Sequence, residues 1–402
     1  MKDSLKKLLK ILSVVIIVAA VGITIFGSSF KNGLSDTPAN NSKVSSESIS
    51  SSDKPADTSG LSDAKVSIIA VGDDLLHLSL IESMGKDAEG HYDFHQIFTG
   101  VKTDVESADL AIINQETILG GEELGLSGYP CFNSPWSAGD ALVDTGFDVV
   151  LGASNHALDK GKQGVLNTVN FWKTKHPEIT LLGLNDSEEM QNKINIVEKN
   201  GIKFAMLNYT YGTNGIPMPK DTPYAVNMLD NKEKVLSDIK RAKESADVVI
   251  VFPHWGAEYT YSPNAYQDEW TETFYDNGVD IVIGGHTHSI QPLEMYSKDG
   301  GRKMPVFYSL GNFVSGQKEW QTMLGSMAKL TVERKNGQIE ITSASAVPVV
   351  THYEIYWHRD PSLKTYKLCD YTDELASRHY LKVSKKQLET LAKEVYGEYL
   401  EY

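Results

Sequence analysis

Five short segments carry side chains of the kinds that bind metal ions. They are Gly72-Asp73-Asp74-Leu75-Leu76-His77, Asn114-Gln115-Glu116, Asn155-His156-Ala157-Leu158-Asp159, Pro253-His254-Trp255-Gly256-Ala257-Glu258 and Gly284-Gly285-His286-Thr287-His288. Carboxylate and amide oxygens suit hard divalent cations, and imidazole nitrogen suits zinc, iron and manganese. A carboxylate can bridge two ions. Two ions about 3.5–4 Å apart can clamp an attacking and a leaving oxygen and supply hydroxide at neutral pH. Taken singly, each segment is weak: a lone His is more often hydrogen-bonded at a surface, and Asn155-His156 alone reads as an Asx turn. The argument is recurrence. Of the 11 His, five (77, 156, 254, 286 and 288) fall just after a short apolar run. Gly284-Gly285 is expected to turn the chain tightly, so that His286 and His288 reach one cluster.

The apolar runs read as strands buried on both faces: Lys65–Val71, Asp109–Ile113, Asp148–Leu151, Lys203–Asn208, Asp247–Phe252 and Asp280–Ile283. Helical patterns lie between several of them, at Lys162–Lys175, Asp230–Ser245 and Ala265–Asn277. That alternation predicts an α/β fold, whose ligands bind beyond the carboxyl ends of strands. After Gln291 the pattern turns strand-rich, at Gln291–Tyr296, Met304–Tyr308, Ser326–Glu333 and Ile339–Val350. A terminal helix is expected over Lys385–Tyr399, with Ser384 as N-cap and Gln387 closing a capping box.

Residues 1–10 are basic and an apolar run to Phe26 follows. The length suits a signal-anchor helix with its N-terminus inside the cell and the body outside; a cleaved signal peptide is the alternative. Residues 28–63 hold 12 Ser and little apolar surface, so they read as a disordered tether. The expected organisation is an anchor at 1–27, a linker at 28–63, a folded domain at 64–350 and a C-terminal cap at 351–402. The localisation that follows is the cell membrane, single-pass, with an extracytoplasmic body.

The chain has 402 residues, 41% apolar and 23% charged, with a formal net charge of −15. That is globular composition. Four Lys against one Asp in residues 1–27 leave −18 on the rest, which argues against nucleic acid as a partner. Two Cys, Cys131 and Cys369, exclude a disulfide-dense scaffold or a cysteine-built zinc finger; whether they pair is not legible.

The segments VGDDLLH (71–77), NQET (114–117), NHALDKG (155–161), HWGAEY (254–259), GGHTHSIQ (284–291) and YSLGNFV (308–314) resemble, in order, the capsule-synthesis protein CapA family. That family is associated with poly-γ-glutamate synthesis and belongs to the calcineurin-like metallophosphoesterase superfamily. The resemblance covers about residues 66–315 and implies a four-layer α/β/β/α metallophosphoesterase-like sandwich. It implies Asp73 and His288 on one metal and Asn155, His254 and His286 on a second, with Glu116 where the superfamily has a bridging Asp. His156 would protonate the leaving group and Asp159 would orient it. Glu258 would be a substrate or supporting residue, with Ser309 and Asn312 on a loop beside the site. Leu75 stands where the superfamily usually has His, so the first metal would draw on His77 or Asp74.

Two readings follow. In the first, the protein is a membrane-anchored hydrolase with two divalent ions (manganese, iron or zinc), or one, cutting an amide or phosphodiester bond in an anionic capsule-type polymer. In the second, the metal site is structural or vestigial, and the protein binds or exports polymer beside a membrane synthase partner.

Overall fold

Strands that feed the polar clusters are continuous apolar runs because each lies between two packed layers. The computed structural model describes residues 62–355 and 362–402; the anchor and most of the tether expected before them lie outside the described residues. Among the described residues, no helix is long and apolar enough to cross a membrane.

The fold is mixed α/β. Its strands are β1 Ala64–Leu75, β2 Leu110–Gln115, β3 Val149–Leu151, β4 Thr180–Leu182, β5 Asn195–Lys199, β6 Ile202–Thr210, β7 Val248–His254, β8 Ile281–Ile283, β9 Leu293–Tyr296, β10 Met304–Phe307, β11 Asn312–Ser315, β12 Leu324–Lys335, β13 Gln338–Glu354 and β14 Ser362–Lys367. An eight-stranded sheet runs β14-β13-β12-β1-β2-β3-β4, with β11 paired to the end of β1; a six-stranded sheet runs β5-β6-β7-β8-β10-β9. β1 to β4 are parallel neighbours, as are β6, β7, β8 and β10. Their carboxyl ends therefore deliver polar residues to one edge of each sheet.

Alternation along each strand sets the layers. In β1, Ile69 and Val71 pack with helices Trp136–Thr145 and Gly161–Lys175 through Leu142, Val165 and Trp172. Ile68 and Ala70 face the other sheet, against Phe204, Ile250, Phe252 and Ile281. In β7 the same parity holds: Val249 and Val251 meet Ile239 and Phe274 of helices Lys232–Ser245 and Ala265–Asp276. Each such fully buried aliphatic side chain contributes roughly 1.5–3 kcal/mol. The C-terminal helix Lys385–Tyr396 inserts Leu388, Ala392 and Tyr396 beside the inter-sheet layer. Its Ser384/Gln387 capping box is formed as expected.

β11 is squeezed between its neighbours. A Cβ at Gly325 in β12 would lie 1.8 Å from the Asn312 carbonyl oxygen. Gly325→Ala is therefore expected to cost about 3 kcal/mol or more by forcing two backbones apart. Urea unfolding tests this; a loss below about 1 kcal/mol would mean that β11 yields freely.

At the far end of β13, His379 is buried. Its Nδ1 accepts the Leu381 N–H at 2.9 Å and its Nε2 faces the Thr351 carbonyl at 3.0 Å. Both nitrogens are satisfied only in the neutral ring. Burial pushes this imidazole down to about 4. The unfolded chain therefore binds the proton first as pH falls, so the contribution is complete above about 6.5 and is lost towards pH 4. Fold stability is expected to drop by about 3 kcal/mol across that window on account of this ring. His379→Gln should flatten the slope between pH 7 and 4 in denaturant titrations; an unchanged slope would contradict this assignment.

Candidate metal centre

β1 and β2 run in register with Asp73 opposite Asn114. The Asn114 amide nitrogen donates to Asp73 Oδ1 at 2.6 Å and lies 3.3 Å from His254 Nδ1 at the end of β7. One amide thus ties the two sheets together at their carboxyl edge. The second tie is backbone: the His286 N–H points at Asp73 Oδ2, 3.2 Å away. Gly285 permits this approach, since a Cβ there would sit 2.7 Å from Asp73 Oδ1. The expectation that Gly284-Gly285 supplies the tight turn needs correction. The left-handed backbone falls on the histidines themselves, with φ 92° at His286 and 54° at His288. Side-chain-bearing residues hold that conformation at a cost, which is common where a site needs it.

Two buried groups of ligand atoms result, each mutually within 4.8 Å: Asp73, Glu116 and His288, and Glu116, His254 and His286. Glu116 belongs to both. Neither of its oxygens has a hydrogen-bond donor, and His286 Nδ1 is likewise without a partner. Buried orphan atoms are costly, and a shared carboxylate facing imidazoles on two sides is what a pair of cations would satisfy. The donor set fits divalent metal. His254 Nε2 lies 2.8 Å from Asn155 Oδ1 and 3.5 Å from Glu116 Oε1, so Asn155 stands beside the second group. His288 Nδ1 faces Asn312 Oδ1 at 3.0 Å, Asp73 Oδ2 at 3.3 Å and Glu116 Oε2 at 3.8 Å.

Protons answer the same field. Burial opposes a charge on His288, yet Glu116 and Asp73 outweigh it and push the imidazole up to about 9. Burial, helped by His254, holds His286 well below its usual range. Burial also works against the Glu116 carboxylate, but the surrounding imidazoles, His288 first, hold it down.

The remaining sequence-singled residues are placed as follows. His156 Nδ1 is 2.7 Å from Asp159 Oδ2, which also accepts the Phe132 N–H at 2.6 Å. The buried carboxylate keeps the ring proton on Nδ1 and leaves Nε2 as the working nitrogen. His77 is in neither ligand group; its Nδ1 accepts the Gly316 N–H at 3.2 Å. Asp74 is in neither group either. Both its oxygens are buried without partners, and burial, with Glu116 adding, raises it to about 7. Ser309 shapes the loop by accepting the Gly311 N–H at 3.2 Å. Glu258 is exposed. Cys131 and Cys369 are both free.

Sequence reasoning missed several contributors. Phe132 stands edge-to-face between the rings of His77 and His156, at 5.2 and 4.6 Å. Asn214 reaches Asn155 at 3.2 Å and His156 at 3.3 Å. The Tyr211 ring lies 4.5 Å from that of His286. Asn114 differs from these three in standing within a segment that the sequence singles out, as the first polar residue after the apolar run 109–113.

Among curated proteins, the chain is similar to the PGA biosynthesis protein CapA of Bacillus subtilis (strain 168), with 32% identity over 203 residues, 50% of this chain and 51% of that protein. It is also similar to the capsule biosynthesis protein CapA of Bacillus anthracis, with 34% identity over 184 residues, 44% and 42% of the two chains. The chain thus aligns with about half the length of these curated relatives. Among solved structures it is similar to the calcineurin-like phosphoesterase YfkN from Bacillus subtilis, at 15% identity over 83% of this chain and 97% of that one, with a TM-score of 0.42. The family model described as "Bacterial capsule synthesis protein PGA_cap" matches residues 67–317, a span that takes in both ligand groups and the His156–Asp159 pair, and the chain belongs to that family.

Proposed function

We propose that this protein is a dinuclear metal-dependent hydrolase of a capsule-type polymer, of the poly-γ-glutamate class, with a metallophosphoesterase-like layered fold. It works outside the cell, held to the membrane by residues 1–27 beside a synthase. The observation that carries the reading is Glu116: one buried carboxylate shared by two ligand groups, with no proton donor of its own.

Asp73, Glu116 and His288 would hold one ion, and Glu116, His254 and His286 the other, with Asn155 adding an amide oxygen. When bound, such ions supply Lewis acidity and activate water. The protein's own residues do the rest. Asn114 and the His286 N–H orient Asp73. Asn312 Oδ1 stands beside the His288 nitrogen that faces the Asp73 and Glu116 carboxylates. Asp159 accepts the Nδ1–H of His156, and when the ring carries a second proton its Nε2–H is the one given to the leaving group. A purely structural site has no use for that buried dyad, and this favours hydrolysis over binding alone.

The test is incubation of manganese- or zinc-loaded protein with poly-γ-glutamate, following new chain ends. The reading expects metal-dependent cleavage. A fully metallated protein that binds the polymer and leaves it intact would instead establish the binding and export role.

A further inference from the structure

Residues 211–216 follow β6 and lie against the second ligand group, with the Tyr211 ring beside that of His286. The Tyr211 N–H donates to the His254 carbonyl at 3.0 Å, so the loop starts tied to a ligand residue of β7. The chain then reads Thr213-Asn214-Gly215-Ile216. The Ile216 N–H donates to the Thr213 carbonyl at 2.9 Å, and φ is 51° at Asn214 and 75° at Gly215. That is the pattern of a type I′ turn, for which Asn-Gly is a favoured pair. The Thr213 hydroxyl donates to the Ile216 carbonyl at 2.7 Å, and Ile216 packs on the core. The turn is held at both ends, with Asn214 at its tip.

The turn needs nothing from the Asn214 side chain, yet that side chain reaches into the site. Its Oδ1 accepts the Asn155 side-chain N–H at 3.2 Å. Its Nδ2 lies 3.3 Å from His156 Nδ1, whose proton goes to Asp159 at 2.7 Å. Asn155 can serve a cation only through its amide oxygen, because its NH2 is a donor. That oxygen stands 2.8 Å from His254 Nε2, among the atoms of the second group. Turned over, the same amide would present NH2 there instead. Among the described residues, Asn214 Oδ1 is the one partner of the Asn155 amide nitrogen. Solvent reaches Asn214, and water can accept the same proton. Water also donates, however, so it does not distinguish the two orientations of the amide, whereas a fixed carbonyl oxygen does.

We infer that Asn214 is a positioning residue for the second metal ion: it turns the Asn155 amide so that its oxygen, and not its nitrogen, joins Glu116, His254 and His286. The inference rests on the two-ion reading above, and its test separates the two. Full-length protein in detergent, stripped with chelator, would be titrated calorimetrically with manganese(II) alone. The proteins compared are wild type, Asn214→Gly, Asn214→Asp, Asn155→Ala and the double variant of Asn155→Ala with Asn214→Gly. Glycine adopts a φ of 51° without cost, so it removes the amide and leaves the turn unstrained.

Wild type is expected to show two binding events, one for each ligand group. Asn214→Gly should weaken one of them roughly tenfold, the lower end of the loss for a supporting partner, and leave the other as it was. Asn214→Asp keeps an oxygen to accept the Asn155 N–H and should bind both ions at least as tightly as wild type. In the Asn155→Ala background, Asn214→Gly should add no further loss, because the group it positions is gone. Two unchanged events in Asn214→Gly would overturn the positioning role and leave the two-ion reading standing. Equal weakening of both events, a loss that persists undiminished in the Asn155→Ala background, or failure of Asn214→Asp to restore affinity would do the same. A wild-type protein that takes up one ion or none would overturn both.

Discussion

Glu116→Gln is expected to leave the protein unable to retain either metal ion. The substitution keeps shape and volume, so the fold should persist. What changes is charge: the only carboxylate of the second ligand group, and the shared one of the first, becomes a neutral amide. An amide also presents an NH2 to one side, where an imidazole or a cation stands in the native arrangement. Loss of a ligand common to two sites should weaken both by well over the roughly 10–100-fold seen for supporting residues. Asp73→Asn touches the first group alone and should leave one equivalent in place. Elemental analysis of protein purified without chelator reads both outcomes. Two equivalents retained by Glu116→Gln would contradict the bridging role.

His156→Ala should lower polymer cleavage by about 10²–10⁴-fold, the range for losing a positioned general acid, with both ions retained. The ring contributes no atom to either ligand group, so metal content and rate should separate. Asp159→Asn should also slow cleavage. An amide at that position carries no charge to support the ring protonated on both nitrogens, the form whose Nε2–H the leaving group takes. New amino ends released per minute from poly-γ-glutamate give the rates. Cleavage unchanged in His156→Ala would remove the dyad from the chemistry and return weight to a binding and export role.

Much of this was legible because both sheets are covered on both faces. β1, β2, β3, β7 and β8 lie under helices on one side and under the opposite sheet on the other, so they read as unbroken apolar runs. Their polar successors then stand out. β4 reads TLL, without the Val and Ile that mark β3 and β8, and β5 is a half-exposed edge strand, NIVEK, with three polar residues of five. β11 escaped for a different reason: its pairing to Asp73–Leu75 is between segments more than 230 residues apart.

The site divides along the same line. Asp73, Glu116, His254, His286 and His288 end strands, and parallel pairing brings them together. Position after a strand could not tell His77 from these, since what sets it apart is the Gly316 N–H from a distant loop. Phe132 and Asn214 reach His156 from loops with no periodic signal. The turn at Gly284-Gly285 was read with the correct residues and the wrong physics. The glycines give room for Asp73, Tyr308 and Trp255, and the histidines bear the unusual backbone.

The central claim is a pair of ions bridged by Glu116. A crystal of manganese- or zinc-loaded protein, with diffraction recorded on both sides of the metal's absorption edge, addresses it directly. The account predicts two anomalous peaks about 3.5–4 Å apart, one beside Asp73 and His288 and the other beside His254 and His286, with Glu116 reaching both. A single peak, or peaks away from Glu116, would contradict it.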